Sequence, residues 1–285
     1  MRFGIRPGST LERAMAGNAW FVYAFFYAPI ITLVIFSFNA SSRVGIWGGL
    51  STTWYANIFR NPEVWDALKN SLVVAAVSTV VSTIIGTAAA LAIDRYRFRG
   101  DRTLDGILYL PIIIPDVTMA VMMLLFFARI FAFVDSFGPR LSLGLGTIAL
   151  SHIAFNISFV AVVVRARLGQ LDKSLEEAAR DLYAGPWETF RRVTLPLIMP
   201  GVLGGALLAL TLSLDDVVVT AFVAGPGSTT LPVYVFGLVR RGVSPEINAL
   251  STVMLVASIA LVAGSLLVQR GPGRTSDLAH ELAQE

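Results

Sequence analysis

An all-α polytopic membrane protein with six membrane-spanning helices is the fold class this sequence predicts, and three observations predict it. Hydrophobic residues make up 55% of the 285 positions, and the mean hydropathy is +0.70. Charged residues make up only 14%, against about 25% in ordinary soluble domains. Six apolar runs recur along the chain, divided by short polar segments over which arginine and lysine are unevenly spread. The chain has no cysteine, which excludes disulfides and thiolate metal sites. Its two histidines, His152 and His280, are too few for a histidine-based metal cluster.

The spans follow in order. Residues 1–18 are polar and basic, and 269–285 form a polar tail. Between them, residues 19–268 hold the spans. Ala19 to Phe38 is long enough to cross a hydrocarbon core of ~30 Å as a helix. It is too long for the centre of a signal peptide, and Ala40-Ser-Ser matches a cleavage site only weakly, so it reads as an uncleaved first span. In the loop 40–69, Trp47, Trp54, Tyr55 and Trp65 suit the membrane interface. Ser71 to Ile93 is an uncharged second span with Ser78, Ser82, Gly86 and Ala88, small residues that permit close helix packing. A third span runs from Leu104 to Phe127 with Pro111, Pro115 and Asp116 inside it, and a fourth from Gly146 to Val164. The fifth is Ile198 to Val223, carrying Asp215 and Asp216, and the sixth is Ile247 to Val268.

Charge asymmetry predicts orientation. With both termini inside, the inner segments hold three Arg/Lys before the first span, four in 94–102, six in 165–192 and two in the tail. The outer loops hold seven. The positive-inside rule therefore places both ends in the cytoplasm.

Between spans four and five lies the longest inner polar stretch, from Ser174 to Pro196. Ser174 and Glu177 have the spacing of a capping box, and Leu175, Ala178, Ala179 and Leu182 share one helical face. Gly185-Pro186 has the chemistry to end that helix, and a second short helix is predicted from Trp187 to Val193. The result is a helical elbow in water. Such an elbow either connects two spans and does nothing more, or fits a groove on another protein.

Nothing in the chain resembles a catalytic apparatus. There is no phosphate-cradling glycine loop ending in lysine and serine or threonine, and the only lysines are Lys69 and Lys173. No His-Glu-x-x-His or Ser/His/Asp pattern occurs. The informative residues are the intramembrane acids Asp116, Asp215 and Asp216. A carboxylate at membrane depth costs ~2.5–3.5 kcal/mol on insertion scales and faces a polar interior or pathway. Two readings stand: the acids line a path for a cationic solute, or Asp215 and Asp216 cap a helix end and pair with Arg240 or Arg241. His152 reads as a hydrogen-bonded packing residue.

Glu177-Ala-Ala-Arg-Asp-Leu-Tyr-Ala-Gly-Pro and the trailing Thr194-Leu-Pro-Leu-Ile-Met-Pro resemble the EAA loop of ABC importer permease subunits. Leu212-Ser-Leu-Asp-Asp, Phe222-Val-Ala-Gly-Pro-Gly and Gly242-Val-Ser-Pro-Glu look like the spermidine/putrescine branch, as do Ile93-Asp-Arg-Tyr-Arg and Pro115-Asp116. The resemblance spans about residues 15–270 and implies a type I ABC importer permease fold in the bacterial inner membrane. It implies that residues 168–197 form the coupling loop. Glu177, Ala178, Ala179, Arg180, Asp181, Tyr183, Ala184, Gly185, Pro186 and Trp187 would then dock into an ATPase subunit. It further implies a second homologous permease subunit, two ATPase subunits that bind ATP and Mg, an external substrate-binding protein and membrane lipid, with no cofactor in this chain and no nucleic acid partner. The family usually has glycine where this chain has Tyr183, and tyrosine there fills space at the docking face. Iron, sulfate and opine importers share parts of the pattern. An ion-gradient transporter using the three acids is the alternative from another class; no inverted repeat supports it.

Overall fold

The computed structural model describes residues 10–43, 45–96, 98–138, 140–172, 174–241 and 244–269. The first nine residues, most of the tail and His280 lie outside them. The described chain is helical: α1 (Thr10–Ser37), α2 (Thr53–Arg60), α3 (Pro62–Arg95), α4 (Asp101–Ile113), α5 (Asp116–Asp135), α6 (Leu145–Leu168), α7 (Ser174–Asp181), α8 (Pro186–Thr189), a π turn (Phe190–Thr194), α9 (Leu195–Asp215), α10 (Val218–Val223), α11 (Leu231–Arg241) and α12 (Pro245–Gln269). Among the described residues five helical stretches are long and apolar enough to cross a bilayer, and the apolar stretch Pro245–Ala260 is the start of the 25-residue α12.

Two compact units are distinguished, Met1–Asn61 with Gly237–Ala263 and Pro62–Phe236 with Gly264–Glu285. In the first, the polar loop after α1 is folded on Asn39. Its Oδ1 accepts from Gly48 N–H (2.8 Å) and Ser41 N–H (3.2 Å), and its Nδ2 donates to the Ile46 carbonyl at 2.7 Å. The Trp54 indole donates to the Asn39 carbonyl at 2.8 Å, and Tyr55 hydroxyl meets Ser37 Oγ at 2.6 Å. Two of the four predicted interface aromatics thus close this loop.

The second unit is built on α3, α6 and α9 in mutual contact. Ser78, Ser82, Gly86 and Ala90 recur every four residues and are buried, so they form one face of α3. A methyl group at Gly86 would meet the Ile157 carbonyl at 2.8 Å, and one at Gly205 would meet Val160 at 3.3 Å. Glycine is required at Gly86 because the α3 and α6 backbones nearly touch. Ala88, another small residue of this span, is exposed.

Two predicted spans are broken. The third divides into α4 and α5 because Pro115 forces Ile114 out of the helical region, to φ −72° and ψ 132°. Pro111, four residues earlier, is tolerated inside α4. The fifth divides at Asp216, which is extended at ψ 125°. The second elbow helix does not stop at Val193. It runs through the π turn into α9 as one 30-residue stretch, Pro186–Asp215.

Candidate translocation cavity and docking elbow

The elbow starts at Asp172, not Ser174. Asp172 Oδ1 accepts from the Ser174 N–H at 2.9 Å, which satisfies a free donor of the first turn. That bond holds the Asp172 carboxyl below the usual carboxylate range. The helix also ends earlier than its glycine suggests. Tyr183 N–H donates to the Arg180 carbonyl at 2.9 Å and Ala184 N–H to the Ala179 carbonyl at 3.1 Å. Those two bonds are a Schellman closure, whose left-handed position is Tyr183 at φ 63°. Gly185 is extended and opens α8. The site of the family glycine is therefore the site that needs positive φ, and tyrosine occupies it with its side chain 97% exposed.

The polarity of α7 is inverted. Leu182 is 82% exposed and Leu175 is exposed as well, whereas Glu176 is 6% exposed. Both Glu176 oxygens are bonded: the Arg95 guanidinium grips them as a fork, and Thr194 Oγ1 donates to Oε1 at 2.6 Å. Arg95 holds the Glu176 carboxyl below the usual carboxylate range, and Thr194 adds to that. Of the predicted docking residues, Ala179 and Ala184 are half-buried, and Glu177, Ala178, Arg180, Asp181, Tyr183, Gly185, Pro186 and Trp187 are exposed. Trp187 lies against Phe190 with ring centroids 5.5 Å apart and planes tilted by 34°. The elbow thus presents Leu175, Leu182, Tyr183 and Trp187 as an apolar tip fringed by Glu177, Arg180 and Asp181.

The three intramembrane acids meet at one cavity of 330 Å³, bounded by Asp116, Asp215 and Asp216 with Pro111, Met119, Phe155, Phe159, Leu212 and Val217 to Val219. The two helix breaks create it: α5 begins at Asp116 and α9 ends at Asp215. Asp116 sits in the first turn of α5, where the helix dipole favours a carboxylate. Asp216 is turned inward. Its carboxylate accepts from Thr220 N–H (2.7 Å), Thr220 Oγ1 (2.7 Å) and Val219 N–H (3.3 Å), capping α10. His152, fully buried, places Nε2 3.3 Å from Asp216 Oδ2 and 3.0 Å from Thr220 Oγ1. Asp216 thus caps α10 with His152 beside it, and the Arg241 side chain lies outside the described residues. Next in sequence to the lining residues Phe155 and Leu212, Asn156 donates to Ser213 Oγ at 2.8 Å, and Ser213 meets Ser78 at 2.8 Å.

Residues 82–271 match the family described as binding-protein-dependent transport system inner membrane component. The chain belongs to that family. It is 43% identical over 259 residues to the putrescine transport system permease protein PotI of Escherichia coli (strain K12), covering 90% of this chain and 91% of the relative. It is 41% identical over 260 residues to the spermidine/putrescine transport system permease protein PotC of the same strain, covering 90% and 95%. Its fold is similar to a chain in the crystal structure of a bacterial ABC transporter involved in the import of the acidic polysaccharide alginate. That match has TM-score 0.77 and 20% identity, over 93% of this chain and 96% of that one. The type I importer permease fold expected from the EAA loop is therefore the fold this family member has.

Two features of this binding-protein-dependent permease escape sequence reasoning. Phe155 and Phe159 look like ordinary span residues, yet their four-residue spacing puts both on the cavity wall. Glu176 is overshadowed by Glu177, the acid of the recognisable motif. The only available signal for it is negative: on the face containing Leu175, Ala178, Ala179 and Leu182, Glu176 has no place.

Proposed function

We propose that this chain is the polyamine-translocating permease subunit of an ATP-driven importer, with both termini and the elbow in the cytoplasm. ATP is bound with Mg and hydrolysed by two partner ATPase subunits, one of which receives the apolar tip of the elbow. A second homologous permease subunit completes the pathway. The family description supports dependence on an external binding protein, and PotI and PotC support a polyamine as the solute.

The observation that carries the reading is the cavity. Asp116 and Asp215 border a space also lined by the Phe155 and Phe159 rings, whereas Asp216 is committed to His152 and Thr220. Carboxylates attract an alkylammonium, and aromatic faces hold it without a fixed geometry. Two acids and two rings suit an extended dication that must be released again. Replacing Asp215 or Asp116 with Asn is expected to lower putrescine uptake into proteoliposomes about tenfold, the loss of one charge-assisted contact of about 1.5 kcal/mol. Basal ATP hydrolysis is expected to persist. Unchanged uptake in both variants removes the acids from the path, and uptake driven by an ion gradient without ATP overturns the importer reading.

A further inference from the structure

We propose that Arg95, Glu176 and Thr194 form a transmission joint that passes displacement of the elbow into α3, a helix to which the elbow has no covalent link. The proposal rests on the reading that an ATPase subunit moves the elbow.

By chain connectivity the elbow is attached only to α6 and α9. Its outward side carries Leu175 and Leu182, and the packing of α7 is with α8 and the π turn of the elbow itself. The attachment is ionic. Glu176, 81 positions from Arg95 in sequence, receives the guanidinium fork of that residue, which is the last of α3. A fork on a carboxylate fixes direction as well as distance, so α7 cannot shift or rotate without pulling the end of α3. Asp94 lies 3.5 Å from Arg95 Nε and steadies the guanidinium from its own helix.

The third member controls compliance. Thr194 closes the π turn, whose wide spacing shows in the Leu195 N–H bonding the Phe190 carbonyl five residues back. Such turns are places where helix register can change at low cost. The hydroxyl bond from Thr194 to Glu176 ties that turn to the same carboxylate, which makes α7, the start of α9 and the end of α3 one body. Because α3 has 34 residues and packs along α6 and α9, movement at Arg95 is delivered along a lever about 51 Å long. The residues act as positioning residues: none of them lines the cavity, and Glu176 and Thr194 are buried away from the exposed tip.

The test uses the complete complex in proteoliposomes, with putrescine as the probe, and reads ATP hydrolysis and uptake together. In E176Q and R95Q the ATPase subunit is expected to remain bound and basal hydrolysis to continue, while putrescine taken up per ATP falls about tenfold. The reversed pair R95E/E176R is expected to recover most of that loss. T194V is expected to show a smaller deficit and T194S none, which guards against failure of the charge variants to fold. Normal uptake per ATP in E176Q and R95Q overturns the joint. So does loss of ATPase binding in both, since the pair would then only shape the docking tip. Failure of the docking reading is distinguishable, because truncating Leu182 and Trp187 would then leave ATPase binding intact.

Discussion

Two pairs of adjacent acids, Glu176-Glu177 in the elbow and Asp215-Asp216 at the cavity, solve the same problem at opposite chemical extremes. In each pair one carboxylate is bound into the fold and its neighbour is exposed. Glu176 is gripped by Arg95 and Thr194 while Glu177 is exposed on the helix. Asp216 caps α10 and meets His152 while Asp215 is exposed at the cavity. The geometry differs between the pairs. Consecutive residues point about 100° apart on a helix, which separates Glu176 from Glu177, whereas Asp215 and Asp216 are separated because the helix breaks at the extended Asp216. The lesson is that each doubled acid in this chain has one bound and one exposed member. Which is which depends on the neighbouring helix.

Breaking the bound member should therefore cost stability, and changing the exposed member should not. The largest effect is expected at Glu176. E176A strands the Arg95 guanidinium beside the bundle and should lower stability in detergent by about 2–3 kcal/mol. E177A should stay within about 0.5 kcal/mol, as exposed substitutions do. Thermal unfolding followed by gel filtration separates the two, and equal shifts would break the comparison. The next effect is at the cavity. D216N leaves Thr220 Oγ1 and His152 with a weaker acceptor and should cost about 1–2 kcal/mol, whereas D215N should melt with the parent protein.

How far the sequence reveals this arrangement differs between the two regions. Span number, the elbow and the three acids follow from hydropathy, charge and local motif, because insertion into lipid constrains every residue of a span. The breaks at Ile114 and Asp216 are harder. Pro115 marks the first, but Pro111 is an equal candidate, and only tertiary packing decides which proline ends a helix. The second has no proline at all. It exists because Asp216 finds N–H donors in the next turn and a histidine 64 residues away. Gly185 misleads for a related reason: Gly-Pro is a strong stop signal, yet the left-handed residue is Tyr183, which has no intrinsic preference for that conformation.

Tyr183 offers a smaller effect in the stabilising direction. A non-glycine residue in the left-handed region carries a penalty of about 1–2 kcal/mol, partly offset by the greater unfolded-state freedom of glycine. Y183G should therefore stabilise the elbow by about 1 kcal/mol, seen as slower proteolysis between Ser174 and Trp187. The same variant removes the most exposed ring of the tip, so weaker ATPase binding is expected alongside greater stability. Loss of both would show that the ring is held by contacts within this chain.

The smallest effect is expected from pH, and its sign follows from Glu176. Its carboxyl is held below the usual range in the folded protein by Arg95 first and Thr194 second. The unfolded chain therefore binds more protons in that window, and stability rises with pH through it. The contribution is complete above the ordinary glutamate pKa of about 4.3 and is lost as pH falls through the lower folded value. Asp172, held low by the Ser174 N–H, acts in the same direction from an exposed position. Melting of the parent protein should show little pH dependence from this pair between about pH 5 and 8, where its contribution is complete, with a decline appearing only below that range. E176Q should flatten the acid decline while lowering the plateau. An unchanged slope in E176Q would mean that the carboxylate is not the group that makes the elbow sensitive to acid, and the distinction between the bound and the exposed glutamate would then fail on the same axis that defines it.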